Sequence, residues 1–315
     1  MAQPTNTFDT YDAVGIREDL QDVIYSISPT DTPFMSSAAR EAVKNTFHEW
    51  QTDALASAAT NNAVIEGDDA TLDASVATAR IGNYTQIMDK TVVTTGTQEA
   101  VDKAGRASEL AYQIAKKSKE LKRDIESTLL TNQARAAGDS TTARTFASIG
   151  AWIATNDSLG ATGTSPTAAD GSDPRNDGTQ RALTEDLLKT VIKGTWVSGG
   201  SPSVIMCGPF NKQKISGFTG GSTRFDASED KTLYTSIDVY SSDFGDLEVV
   251  PNRFQRDRDL FVLDMDYWAV GFLRDFTMHE LSKTGDSEKR QLLTELTMIS
   301  RNEAASGGVF DLTTA

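Results

Sequence analysis

The sequence predicts an α+β fold in which extended segments surround one long helix. Three observations carry this expectation. A stripe of small and apolar residues in alternating steps of three and four runs from about residue 99 to at least residue 132, which is the spacing of a helix face. Extended, β-branched stretches at 46–52 and 81–95 precede it. Two more, at 267–280 and 289–300, flank the turn Thr284-Gly285-Asp286-Ser287-Glu288, the pattern of a long antiparallel hairpin.

Residues 1–45 read as an arm with a short amphipathic helix marked by Ile16, Leu20, Val23, Ile24 and Ile27. Ser28-Pro29 ends it, because proline disfavours helical geometry in the residue before it. The stretch between the first two extended segments is rich in Ala, Asn and Asp and poor in large apolar residues. A hairpin of that composition does not bury itself and needs a neighbour.

The long helix opens at Thr95-Gly96-Thr97-Gln98, the spacing of a capping box. Glu99 and Asp102 follow in the first turn, where the helix dipole favours negative charge. Ala104, Ala107, Ala111, Ile114, Ser118, Leu121, Ile125 and Thr128 continue the stripe, and Gly138 is a candidate stop. Such a helix spans about 50 Å. Ala and Ser in half of the seam suit close packing on a flat surface better than a coiled coil, so the helix reads as a spine across a sheet.

Residues 155–178 are a Thr/Gly/Ser/Asp/Pro-rich stretch with little core potential. A mixed region follows at 181–262. It holds a helix over 184–193, a buried strand at 203–207, a helix over 209–215, and extended stretches at 247–250 and 260–263. No solenoid repeat appears.

Composition narrows the function. At 315 residues the chain is long enough for two substructures or one domain with a large insertion. Apolar runs are short, far below the roughly 18–20 residues of a membrane span. The first residues lack a basic region followed by an apolar stretch, so no secretory signal is visible. Lys and Arg number 30 against 45 Asp and Glu, a net charge of −15. That balance removes the electrostatic drive toward duplex DNA. The single cysteine, Cys207, excludes an intrachain disulfide and sits in an apolar run as a packing residue.

Catalytic motifs are missing: no phosphate-binding loop, nucleophile elbow or H-E-x-x-H metal motif occurs. His48 and His279 fall in different expected strands and read as structural. Glu66-Gly67-Asp68-Asp69 and the Asp170–Asp177 stretch are dense in carboxylates. The second fails as a calcium loop, because counting from Asp173 puts Arg175 third and Thr184 twelfth. The first reads as a solvated or partner-facing turn. Lys116, Lys117, Lys119, Lys122 and Arg123, interspersed with Glu120, Asp124 and Glu126, read as the solvated side of the spine. No catalytic, cofactor or metal residue is assigned.

The order of elements resembles the fold of tailed-bacteriophage major capsid proteins, shared with the floor of herpesvirus capsids. Residue matches sharpen it. Ile16-Arg17-Glu18-Asp19-Leu20 leading to Ser28-Pro29-Thr30-Asp31-Thr32-Pro33-Phe34 resembles the N-arm of a podovirus-like branch. His48-Glu49-Trp50-Gln51-Thr52-Asp53 and Glu66-Gly67-Asp68-Asp69 resemble its extended loop, and residues 283–290 its C-terminal hairpin.

The resemblance implies an N-terminal arm at 1–45 and an extended loop at 46–95. It places a peripheral domain with the spine helix at 96–144 and 265–315, and an axial domain at 145–264. It implies a subunit that assembles with itself into hexamers and pentamers of an icosahedral shell enclosing double-stranded DNA without reading its sequence. Trp50, Glu66, Asp68, Asp69 and Phe34 are the candidate subunit contacts. A separate scaffolding protein, a portal and a cement protein are the further partners. No membrane contact is implied, and the place is a virion capsid built in the host bacterial cytoplasm. Some relatives cross-link through a loop lysine. Residues 51–89 contain none, so the expected shell is non-covalent. The rival readings are a non-viral encapsulating compartment of the same fold, an extracellular adhesive protein, and a hydrolase using His48 or His279.

Overall fold

The computed structural model describes residues 29–69, 74–218 and 238–314. The arm helix expected over Ile16 to Ile27 lies outside them. The first elements are α1 (Pro33–Ser37), β1 (Ala39–Ala42), β2 (Phe47–Thr52), β3 (Ala79–Tyr84), β4 (Gln86–Thr95) and α2 (Gly96–Ala100). The long helix α3 (Glu109–Leu129), α4 (Ile149–Trp152), β5 (Asp157–Ser158), α5 (Glu185–Val197), β6 (Val204–Cys207) and α6 (Pro209–Ser216) follow. The last are β7 (Val239–Ser242), β8 (Gly245–Pro251), β9 (Leu260–Leu263), β10 (Trp268–Leu281), β11 (Ser287–Ser300) and β12 (Gly307–Val309).

Three sheets organise these elements. One runs β1-β10-β11-β4, the second β5-β12-β9-β6-β8-β7, and the third is the pair β2-β3. The C-terminal hairpin is present as β10 and β11, antiparallel from Trp268 opposite Ser300 to Leu281 opposite Lys289. Two assignments shift. β4, grouped with the extended loop, pairs with β11 from Gln86 to Thr95. β12, grouped with the terminal hairpin, instead joins β9 and β5. Strand pairing is made between distant segments, and a period of two cannot name the partner.

The continuous apolar runs of β6 and β9 now have a cause. Met206, Phe261 and Leu263 enter a core shared with α3 and the four-stranded sheet. Ile205, Cys207, Leu260 and Val262 enter a second core under Leu188, Val191 and Ile192 of α5. Both faces of this sheet are covered, so its inner strands show no polar alternation. Burial in the second core pushes the Cys207 thiol up to about 12, as expected of an inert packing cysteine.

The expected single helix from residue 99 to 132 is two helices. Thr95 caps α2 as anticipated, its hydroxyl accepting the Gln98 N–H at 3.3 Å. The chain then leaves helical geometry, with Gly105 at φ 73°, and Ser108 caps a new start by accepting the Ala111 N–H at 3.2 Å. The Glu99 carboxylate bridges the break by accepting the N–H groups of Glu109 (3.0 Å) and Leu110 (3.3 Å). The orphan donors of the second helix are thus satisfied by the first. The 21 residues of α3 span about 32 Å. It lies across β4 and β11 with Leu121, Ile125 and Leu129 buried, which is the spine arrangement expected.

Residues 155–178 are more integrated than their composition suggests. Arg175 is 3% exposed and donates to the carbonyls of Gly150 (3.1 Å) and Ile153 (2.6 Å). Its guanidinium lies over the Phe310 ring, and burial lowers it to about 10. Asp311, at φ 60°, accepts the N–H groups of Gly160 (3.0 Å) and Gly178 (2.8 Å) and pairs with Arg258 at 2.7 Å. Asp177 takes Arg256 at 2.6 Å. Asp259 is fully buried, 3.5 Å from Arg256. Neither of its oxygens has a hydrogen-bond partner among the described residues. The segment folds through buried charge rather than through apolar side chains.

Candidate subunit-contact surface

The β2-β3 pair has a fixed base and a bare tip. Phe47 faces Tyr84 across the ladder, with ring centroids 4.5 Å apart. Asn83 is fully buried. Its amide donates to the carbonyls of Met298 (2.8 Å) and Ala147 (3.1 Å), and its oxygen accepts the Ala147 N–H at 2.8 Å. Arg135 lies over the Phe47 ring, donates to the Gly82 carbonyl and pairs with Asp170 at 2.8 Å. Gly82 has to be glycine, since a Cβ there meets the His48 carbonyl oxygen at 2.6 Å.

Beyond Thr52 the support ends. Residues 53–69 and 74–78 are exposed throughout. Leu55 is 99% exposed, Val76 85%, Val64 82% and Ile65 78%. A tight turn sits at the tip, where the Asp68 N–H donates to the Ile65 carbonyl at 3.1 Å. Gly67 supplies φ 84°, a conformation that favours glycine. Glu66, Asp68 and Asp69 are all exposed around it. An exposed segment that keeps several large aliphatic side chains in water marks an interaction surface.

Other residues singled out in the sequence fall elsewhere. Phe34 is wholly buried by its own subunit, edge-on to Trp268 at 6.4 Å. It has no surface for a neighbour, because the Glu126 carboxylate draws the Phe34 and Met35 N–H groups inward. Trp50 is half-buried, its ring 5.6 Å from that of Trp152, so it packs on the subunit's own core. His48 lies in β2 beside Trp50, 5.7 Å between rings, and His279 in β10 beside Thr277 at 3.2 Å. Their strands belong to different sheets. Asp170 and Asp177 are held by arginines, and Asp173 accepts the Thr167 N–H at 2.7 Å. No group of three metal-type side chains comes together among the described residues. No helix among them is long and apolar enough to cross a membrane.

One exposed patch escaped the sequence reading. Trp196 at the end of α5 stacks on Phe244, 5.1 Å between centroids, and the two are 54% and 41% exposed. Val197 and Val239 are exposed as well. The available signal was a Trp-Val pair following the buried stripe of α5 without belonging to it.

Comparison with known proteins places this architecture. The chain is 28% identical to the major capsid protein of Escherichia phage Phieco32, over 98% of each chain. Its fold matches a subunit of the cyanophage A-1(L) capsid with a TM-score of 0.64 at 13% identity, covering 98% of this chain and 99% of that one. A chain from Gordonia phage Cozz matches with a TM-score of 0.63 at 10% identity, covering 99% and 98%. The family described as SU10 major capsid protein matches over residues 3–313. Fold, order of elements and family agree across nearly the whole length, and the chain belongs to the SU10 major capsid protein family.

Proposed function

We propose that the chain is the repeating subunit of a phage's icosahedral shell, gathered into hexamers and pentamers around double-stranded DNA. The observation that supports this most directly is the exposed loop between Thr52 and Ala79, carried on a firmly anchored two-stranded base. In this reading the loop lies over the adjacent subunit, which covers Leu55, Val64, Ile65 and Val76, with Glu66, Asp68 and Asp69 at the contact. Residues around α3 and the four-stranded sheet act as the peripheral part. The six-stranded sheet with α5 and α6 acts as the axial part, grouped around five-fold and six-fold centres. Head-to-tail contacts of this kind close into rings by rotation.

The chain is assigned no chemical step. A separate scaffolding protein, a portal and a cement protein complete the assembly, which takes place in the host bacterial cytoplasm. With no lysine between residues 51 and 89, the loop holds its neighbour non-covalently. The net charge of −15 suits a container wall that does not read DNA sequence.

Expression of the chain alone, followed by sedimentation velocity and negative-stain imaging of the fast fraction, tests the proposal. Rings, tubes or shells are expected. A chain that stays monomeric even when co-expressed with candidate scaffolds would overturn it.

A further inference from the structure

β4 is a ten-residue strand with one open edge. It ends the order β1-β10-β11-β4, so only its β11 side is paired. The other outer strands of the two larger sheets, β1, β5 and β7, have only four, two and four residues. Among the described residues, Ile87 to Thr94 make no backbone–backbone hydrogen bond beyond those to β11. A long open edge is a template for another strand unless something protects it. The usual devices are missing from β4. It has no proline, and its register runs without a shift from Gln86 to Thr95. Its one lysine, Lys90, turns to Asp124 of α3 at 2.5 Å. Val92 and Thr94 are buried on the α3 side, whereas Ile87 and Val93, on the other face, are 50% and 58% exposed. Along Thr91 to Thr95 the strand borders a hollow of about 500 Å³, lined also by Gln113 and Lys117 of α3.

The exposed loop has matching chemistry. Val64 and Ile65 are β-branched, and both stand in water. In a strand they would point to opposite faces. Among the described residues, the one backbone–backbone bond inside 53–69 joins the Asp68 N–H to the Ile65 carbonyl, so the main chain just before the tip is free to pair. Residues 53–69 carry Asp53, Glu66, Asp68 and Asp69 and no Lys or Arg. Lys116, three residues from Gln113 and so on the same side of α3, is exposed and makes no ion pair among the described residues. We infer that residues 62–66 of an adjacent copy add to the four-stranded sheet as a fifth strand, on the open edge of β4. One of Val64 and Ile65 lies beside Val93 and the other enters the hollow, with Glu66 near Lys116. The inference rests on the reading that the loop covers a neighbouring subunit, and it names the place covered. The subunit's own loop is not the occupant, because it is exposed throughout its described residues. Strand addition takes affinity from main-chain bonds and selectivity from alternate side chains, and β4 and the loop supply both.

The test uses the full-length chain, as dissociated subunits and as assembled particles. Hydrogen exchange of the unmodified protein reads the pairing directly. On assembly, peptides spanning 62–66 and 87–95 should both slow by roughly tenfold or more. Particles co-assembled from Ile65→Cys and Val93→Cys subunits are then treated with a short bis-maleimide, Cys207 being buried. Linked heterodimers should form roughly tenfold faster than with Val197→Cys in place of Val93→Cys. Well-formed particles in which either stretch exchanges as fast as in the free subunit, or in which both cysteine pairs link equally, would overturn the pairing while leaving the shell reading intact. A chain that forms no particles with any candidate scaffold would overturn both.

Discussion

Glu126 and Phe34, 92 residues apart in sequence, are joined by a hydrogen bond in which the Phe34 N–H donates to a Glu126 carboxylate oxygen at 2.7 Å. The same carboxylate accepts the Met35 N–H at 2.9 Å and the Asn252 side-chain amide at 2.7 Å. One fully buried side chain thereby ties the entering chain, the long helix and the segment after β8. Burial pushes its carboxyl pKa up, opposed by these three donors.

Replacing Glu126 with Gln puts an amide NH2 group among donors that need an acceptor. A buried donor left unmatched costs about 1–3 kcal/mol. The Glu126→Gln subunit should therefore unfold at lower denaturant, and Glu126→Ala lower still. Equilibrium denaturation of the monomer reads this, and unchanged midpoints would show that Phe34 is held by packing alone.

Asp259 makes stability depend on pH. Burial raises its carboxyl from 3.8 to about 6, against the pull of Arg256 and Arg175. The folded state therefore binds the proton more tightly than the unfolded chain. The resulting stabilisation is complete below the unfolded value and is lost as pH rises through about 6. Asp259→Asn, a mimic of the neutral form, should stabilise the subunit at pH 7.5 by about 1–3 kcal/mol. It should also flatten the stability profile between pH 4 and 6. A variant less stable than the parent at pH 7.5 would mean that Arg256 and Arg175 need the charge.

Trp50→Ala should be felt in folding of the isolated subunit, not only in assembly. Its ring packs on fully buried Trp152, and truncation of a core-facing aromatic costs about 3 kcal/mol, less for a half-buried one. Thermal unfolding of the monomer compared with particle yield separates the effects. A normal melting temperature with lost particles would return Trp50 to the interface.

Deleting residues 54–75 removes only exposed chain and residues outside the described set. The deletion should leave the melting temperature of the subunit close to that of the parent while abolishing shells. Normal particles by electron microscopy would refute the role given to the loop.

The sequence by itself determined which segments are helical or extended and in what order. Periods of two and 3.6, the Thr95 cap, the turn at Gly285 and the proline at α6 are local signals, written within a few residues of where they act. They sufficed to locate β2, β3, β6, α5, α6 and the β10-β11 hairpin, and through their order to expose the family resemblance. The bare loop was also legible, because a stretch with few and scattered large apolar side chains has too little to fold upon. What remained for the tertiary structure was pairing and burial. Small residues at Ala104 and Ala107 continue a helical stripe as readily as they permit a break, so the start of α3 was decided by Gly105 at positive φ, the Ser108 cap and the Glu99 carboxylate over Glu109 and Leu110 acting together. Phe34 became core through Glu126, and residues 155–178 became ordered through Arg175 and Asp311. Those partners lie far along the chain, and a buried charge is tolerated only where its distant partners meet it. Local pattern specifies the elements. Which of their side chains are enclosed is settled only when the remote donors and acceptors arrive.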